Sequence, residues 1–79
     1  MIMKLIDILD DEQIDLLQRI NVVITNKEYD SEEIYKISDL VVEKGETRNL
    51  KKDPKLASKY VLLADYLIDL GMEEEVKEK

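Results

Sequence analysis

The sequence predicts an all-α fold, a small bundle of three main helices preceded by a short N-terminal helical segment. Three stretches of the chain repeat apolar residues at steps of three and four, which is the spacing of one helix face. Each stretch follows a residue suited to capping a helix, and one β-branched run, residues 22–25, favours an extended connector. We expect residues 1–79 to form one domain, because a chain of this length holds a single core.

The first main helix is expected at about residues 10–20. Asp10 is a suitable N-cap, and Gln13 stands at the position that completes a capping box. Residues 2–9 also carry apolar side chains at helical spacing, so the pattern alone permits one uninterrupted helix over residues 2–20.

Three aspartates, Asp7, Asp11 and Asp15, stand at four-residue steps in this region. On one straight helix their like charges would repel, which favours a break near Asp10. Carboxylates also suit Ca²⁺ or Mg²⁺, but an EF-hand loop needs a central glycine, and none occurs before residue 45. We therefore interpret these side chains as helix caps and solvated groups, and we expect no metal site.

The second helix is expected at about residues 31–44. Asp30 and Ser31 are both suitable caps, and Gly45 is the expected stop. The core stripe of this helix consists of Ile34, Ile37, Leu40 and Val41.

The third helix is expected at about residues 54–70, after a cap at Asp53 and with Pro54 in its first turn. Gly71 is the expected stop, which leaves residues 72–79 as a frayed acidic tail. The core stripe consists of Leu56, Tyr60, Leu63, Leu67 and Leu70. Apolar residues continue on both flanks of this stripe, so the apolar surface is wider than one core needs.

The composition argues against an enzyme and against a cofactor. The chain has no Cys and no His, which removes disulfides, thiolate ligands and the usual general base at neutral pH. Its serines have neither a histidine to activate them nor a glycine-rich loop around them. A core this small usually needs further support, and self-association or binding to a partner is the support that this composition allows.

The net charge of −7 argues against general binding to nucleic acid or to an anionic membrane, and no signal-peptide core or apolar membrane span is visible. We expect a cytoplasmic protein. Residues 44–60 are nevertheless locally basic. The basic patch consists of Arg48, Lys51, Lys52, Lys55 and Lys59.

Candidate interface residues lie off the core stripes. Leu62 and Tyr66, beside Lys59, lie on a flank of the third helix, with Tyr66 roughly 100° from the centre of its core stripe. Tyr35 and Val42 lie one heptad apart on the second helix. Tyrosines supply amphipathic anchors of the kind that are enriched at protein interfaces.

The resulting hypothesis is a small non-catalytic interaction module, a regulator or inhibitor. We expect it to form a homodimer, to bind another protein, or to do both, through the flanks of the helix at 54–70. One alternative is an acidic mimic of nucleic acid that occupies a DNA- or RNA-binding groove of a partner. A third is a phosphate or nucleic-acid contact through the basic segment 48–59.

Overall fold

The computed structural model describes residues 3–78 and confirms the all-α fold. The elements in chain order are β1 (Met3–Lys4), α1 (Leu5–Ile8), α2 (Asp11–Arg19), β2 (Glu28–Tyr29), α3 (Ser31–Leu40), a π-helical segment (Val41–Glu46), α4 (Thr47–Asn49) and α5 (Pro54–Glu78). The strands are only two residues long and pair antiparallel, with Met3 opposite Tyr29 and Lys4 opposite Glu28.

The N-terminal region forms two helices, as the charge pattern predicted. The capping box is present: the Asp10 N–H donates to Gln13 Oε1 at 2.9 Å, and the Gln13 N–H donates to Asp10 Oδ1 at 2.8 Å. Asn21, just after α2, has φ = 64°, a left-handed conformation that asparagine tolerates better than most residues. The irregular residues 22–25 then lead towards β2.

The stop predicted at Gly45 is wrong. The helix that begins at Ser31 continues through the π-helical segment and α4 as far as Asn49. Asp30 is its cap, since its side chain accepts the Glu33 N–H at 2.8 Å. Gly45 is buried, and a Cβ atom there would lie 2.4 Å from Cγ of the Tyr60 ring. The glycine therefore provides room for a tyrosine of α5.

The stop predicted at Gly71 is wrong for the same reason. α5 continues to Glu78 through the segment that we assigned to a frayed tail, and Glu74 in that segment is buried. A Cβ atom at Gly71 would lie 2.6 Å from Cε1 of Tyr35 in α3. Neither glycine has a positive φ. Both positions thus need a small side chain rather than a special backbone conformation.

The core lies between α5, the long helix from α3 to α4, and the N-terminal segments. Tyr35 meets Gly71 at one end of the α3–α5 contact and Gly45 meets Tyr60 at the other, so the two helices run antiparallel. Between these points the Ser38 hydroxyl donates to the Ala64 carbonyl oxygen at 3.2 Å. The core residues are Leu5, Leu9, Leu16, Leu17, Ile20, Ile24, Tyr29, Ile34, Ile37, Val41, Tyr60, Leu63, Ala64, Leu67 and Leu70.

Within residues 3–78, no helix combines the length and the apolar character that crossing a membrane requires.

Candidate interaction surface

The outer face of α5 carries large apolar side chains that the fold leaves exposed. Leu62 is 69% exposed, whereas its neighbour Leu63 is 2% exposed in the core. Tyr66, one turn further on, is 37% exposed. The exposed apolar residues of α5 are Leu62, Tyr66, Ile68, Met72 and Val76. An exposed apolar strip on a helix whose opposite side is already in the core is typical of a contact surface.

A cleft of about 200 Å³ adjoins Leu62 on the side that faces α2. Its lining residues are Asp10, Glu12, Gln13, Leu16, Lys59, Leu62 and Leu63. The Lys59 ammonium lies 3.2 Å from Glu12 Oε1, so an ion pair links α5 to the first turn of α2. Because both side chains are more than half exposed, this pair contributes little to stability, and Lys59 can exchange it for another carboxylate.

Beyond Gly71 the outer face continues as a shallow groove. It is lined by Asp69, Met72, Glu73 and Val76. Of these, Met72, Glu73 and Val76 were absent from the predicted interface because the predicted helix ends at residue 70. The signal was available, since Met72 and Val76 continue the helical spacing of the apolar residues past the glycine.

The predicted pair Tyr35 and Val42 does not join this surface. The Tyr35 ring packs on Gly71, on the opposite side of α5 from Leu62, and its hydroxyl donates to Glu75 Oε2 at 2.8 Å. Val42 is exposed in the π-helical segment. The structure thus places Tyr35 in the contact between α3 and α5, and Val42 on a separate part of the surface.

The basic patch spans three elements. Arg48 lies in α4, Lys51 and Lys52 lie in the turn before α5, and the two remaining lysines lie in the first turns of α5. All five side chains are exposed. The Leu56 N–H donates to Asp53 Oδ1 at 3.2 Å, so the helix N-terminus already holds a carboxylate. An incoming phosphate would have to displace it.

Several of the acidic residues that a nucleic-acid mimic would present are already in ion pairs. The pairs are Glu12 with Lys59, Asp15 with Arg19, Glu32 with Lys36, and Glu33 with Lys27. The hydrogen bond that the Lys27 ammonium donates to the Glu33 carboxylate raises the pKa of Lys27. Among residues 3–78, no group of three acidic side chains is arranged to hold a metal ion.

Tyr60 has a role that its spacing did not predict. Its hydroxyl donates to the Leu16 carbonyl oxygen at 2.8 Å, although the side chain is only 1% exposed. Burial raises the pKa of the hydroxyl above its ordinary value of 10.0, and the charge of Asp15 adds to this effect while Arg19 opposes it. Tyr60 thus fixes α2 against α5 and so sets the position of the cleft beside Leu62.

Comparisons of the chain with protein-family models, with curated proteins and with solved structures give no match.

Proposed function

We propose that this chain is a non-catalytic protein–protein interaction module that binds its partners through the outer face of α5. The observation that carries the proposal is the position of Leu62. It lies about a third of the way along a 25-residue helix, 69% exposed, directly beside buried Leu63. A leucine contributes its burial energy, about 1.5 to 3 kcal/mol, only when a partner covers it.

The rest of the outer face fits the same role. Tyr66 supplies an aromatic anchor one turn from Leu62, and Lys59 and Asp69 supply polar groups at the rim. A long helix with an exposed apolar strip suits helix-in-groove or helix-on-helix recognition. We propose that the module acts in the cytoplasm as a regulator or inhibitor, by covering a surface of its partner, and that it also associates with itself.

The two alternative functions have weaker support. Nucleic-acid mimicry needs rows of unpaired carboxylates, and four of the acidic residues in the relevant segments form ion pairs within the chain. Phosphate binding at the start of α5 competes with the Asp53 cap. A filter-binding assay with bulk DNA and RNA at several salt concentrations tests both the basic segment 48–59 and any direct affinity for nucleic acid.

A double variant, Leu62→Ser with Tyr66→Ser, tests the proposal. We expect the helical circular dichroism signal to be retained and the free energy of unfolding to fall by about 1 to 2 kcal/mol, because Leu62 is 69% exposed whereas Tyr66, at 37%, is partly covered by the fold. We expect binding to other proteins and self-association to be lost, because the anchors are gone. Sedimentation velocity measures the self-association. Affinity capture from cell extract, followed by mass spectrometry, measures the binding to other proteins.

Val23→Ser is the matched control, because Val23 is 65% exposed but lies in the connector after α2. We expect it to leave both associations intact. The proposal is wrong if the double variant retains every association of the wild type, or if Val23→Ser removes them equally.

A further inference from the structure

The polar and apolar residues on the outer face of α5 follow an ordered line. At alternating steps of four and three, it reads Lys55, Lys59, Leu62, Tyr66, Asp69 and Glu73, and we call these six residues the outer stripe. All six are exposed. This spacing is that of the a and d positions of a heptad repeat, which place side chains along one seam of a helix.

The charges along the outer stripe are sorted by sign. Two lysines occupy the N-terminal third of the stripe, and two carboxylates occupy the C-terminal third. Leu62 and Tyr66 lie between them. A second helix of the same sequence, laid antiparallel, would bring the basic end of each stripe onto the acidic end of the other. A parallel second copy would instead place lysines on lysines and carboxylates on carboxylates.

The heptad spacing also fixes one register. When Leu62 lies level with Tyr66 of a second copy, Lys59 lies level with Asp69 of that copy and Lys55 lies level with its Glu73. A two-fold axis repeats each contact, as an isologous interface requires. The six residues extend over about 27 Å, so the contact has two central Leu–Tyr layers flanked by four oppositely charged pairs.

From this charge order and spacing we infer that the occupant of the outer face is a second copy of this chain, docked with α5 antiparallel to α5 in that register. The inference rests on the proposed function, since it names the partner of the same surface. The ion pair between Lys59 and Glu12 does not oppose it, because both side chains are exposed and Lys59 can exchange partners or contact both carboxylates.

Charge reversal tests the pairing. One variant carries Lys55→Glu with Lys59→Glu, and the other carries Asp69→Lys with Glu73→Lys, so that each stripe has a single sign. By sedimentation velocity at low salt, each variant alone should self-associate at least about tenfold more weakly than wild type. An equimolar mixture of the two should associate again, and so should one chain that carries all four substitutions.

Two controls accompany this experiment. Glu12→Gln removes the ion pair with Lys59 without altering the outer stripe, and it should leave self-association unchanged. Circular dichroism of every variant shows whether the helices are intact. Added salt should weaken the wild-type dimer, because exposed charge pairs are screened.

Cysteine cross-linking tests the orientation, because the natural chain has no Cys. Lys59→Cys and Asp69→Cys are made in separate chains and oxidised after mixing. The antiparallel register predicts the mixed disulfide, since two copies of either position are offset by about 15 Å along the helix axis. A parallel pair would instead give disulfides between identical variants.

The inference is overturned if wild type stays monomeric up to near-millimolar concentration, if the charge-reversed mixture fails to associate, or if identical cysteine variants cross-link in preference to the mixture. The wild-type protein could instead be a monomer that binds another protein, with that binding lost in the double variant Leu62→Ser with Tyr66→Ser. This result would overturn the second-copy inference but leave the proposed function standing. If the double variant still self-associates and still binds the same proteins from cell extract, the proposed function is wrong as well.

Discussion

Leu62 and Leu63 are adjacent leucines of one helix, yet the first is exposed and the second is buried in the core. The inner face of α5 consists mainly of apolar residues, with buried Glu74 near its C-terminal end, and the neighbours of these residues come from this chain. On the outer face, Leu62 and Met72 are more than half exposed, and Tyr66 and Ile68 are only partly covered. The comparison teaches that helical spacing identifies apolar faces, whereas only the packed structure tells which face is occupied.

The largest expected effect separates the two faces directly. Leu67→Ala should lower the free energy of unfolding by about 2 to 5 kcal/mol, because it leaves a cavity beside a side chain that is fully buried. Leu62→Ala should change it by less than about 0.5 kcal/mol. Urea unfolding at a concentration low enough for monomers measures both. Equal losses would mean that the outer face is also core.

Tyr60→Phe should have the next largest effect, a loss of about 1 to 3 kcal/mol, because the buried Leu16 carbonyl loses its donor. The pH dependence sharpens this prediction. The pKa of Tyr60 is raised in the fold, so its stabilisation is fully present below the unfolded value of 10.0 and is lost as pH rises through the folded pKa. Alkaline unfolding should therefore be less steep in Tyr60→Phe than in wild type. If wild type and Tyr60→Phe lost stability equally steeply with rising pH, the buried hydrogen bond of the Tyr60 hydroxyl would be contradicted.

Replacing either glycine with alanine should change the free energy of unfolding least, and the two replacements should differ in size. Gly45→Ala should cost about 1 to 3 kcal/mol in steric strain against the buried Tyr60 ring, offset by about 1 kcal/mol of helix propensity. Gly71→Ala should cost less, because the half-buried Tyr35 ring can shift. The melting temperatures of the two variants show which substitution costs more. In a Tyr35→Ala background, Gly71→Ala should stabilise the protein, and a loss there would refute the proposed ring contact.

The features that the sequence predicted correctly depend on neighbours in the chain. Asp10, Asp30 and Asp53 each accept a backbone N–H three residues ahead, so a local pattern is sufficient to identify them. The buried residues of α5 repeat at helical spacing for the same reason. The exposure of Leu62 and Tyr66 follows from their positions off that repeat, and their role as interface residues stays a prediction.

The features that the sequence did not predict depend on residues far away in the chain. A glycine after an apolar run is the usual sign of a helix end, and nothing near Gly45 or Gly71 indicates that a tyrosine from another helix lies against it. The early stop at Gly71 then hid the C-terminal end of the outer face. The hydroxyl bonds of Ser38 and Tyr60 join residues 26 and 44 positions apart, and no local pattern reports them.

The π-helical segment Val41–Glu46 has a consequence for how this protein tolerates changes of length. In an ordinary α-helix, removing one residue rotates everything that follows by about 100°. Here the Thr47 N–H bonds to the Val42 carbonyl oxygen five residues back, so the segment holds one residue more than an α-helical turn requires. Deleting exposed Glu43 would close that turn to α-helical geometry and leave α4 nearly in phase with α3. Single-residue deletions are therefore better accommodated within this segment than in α5, where every later residue would change its face.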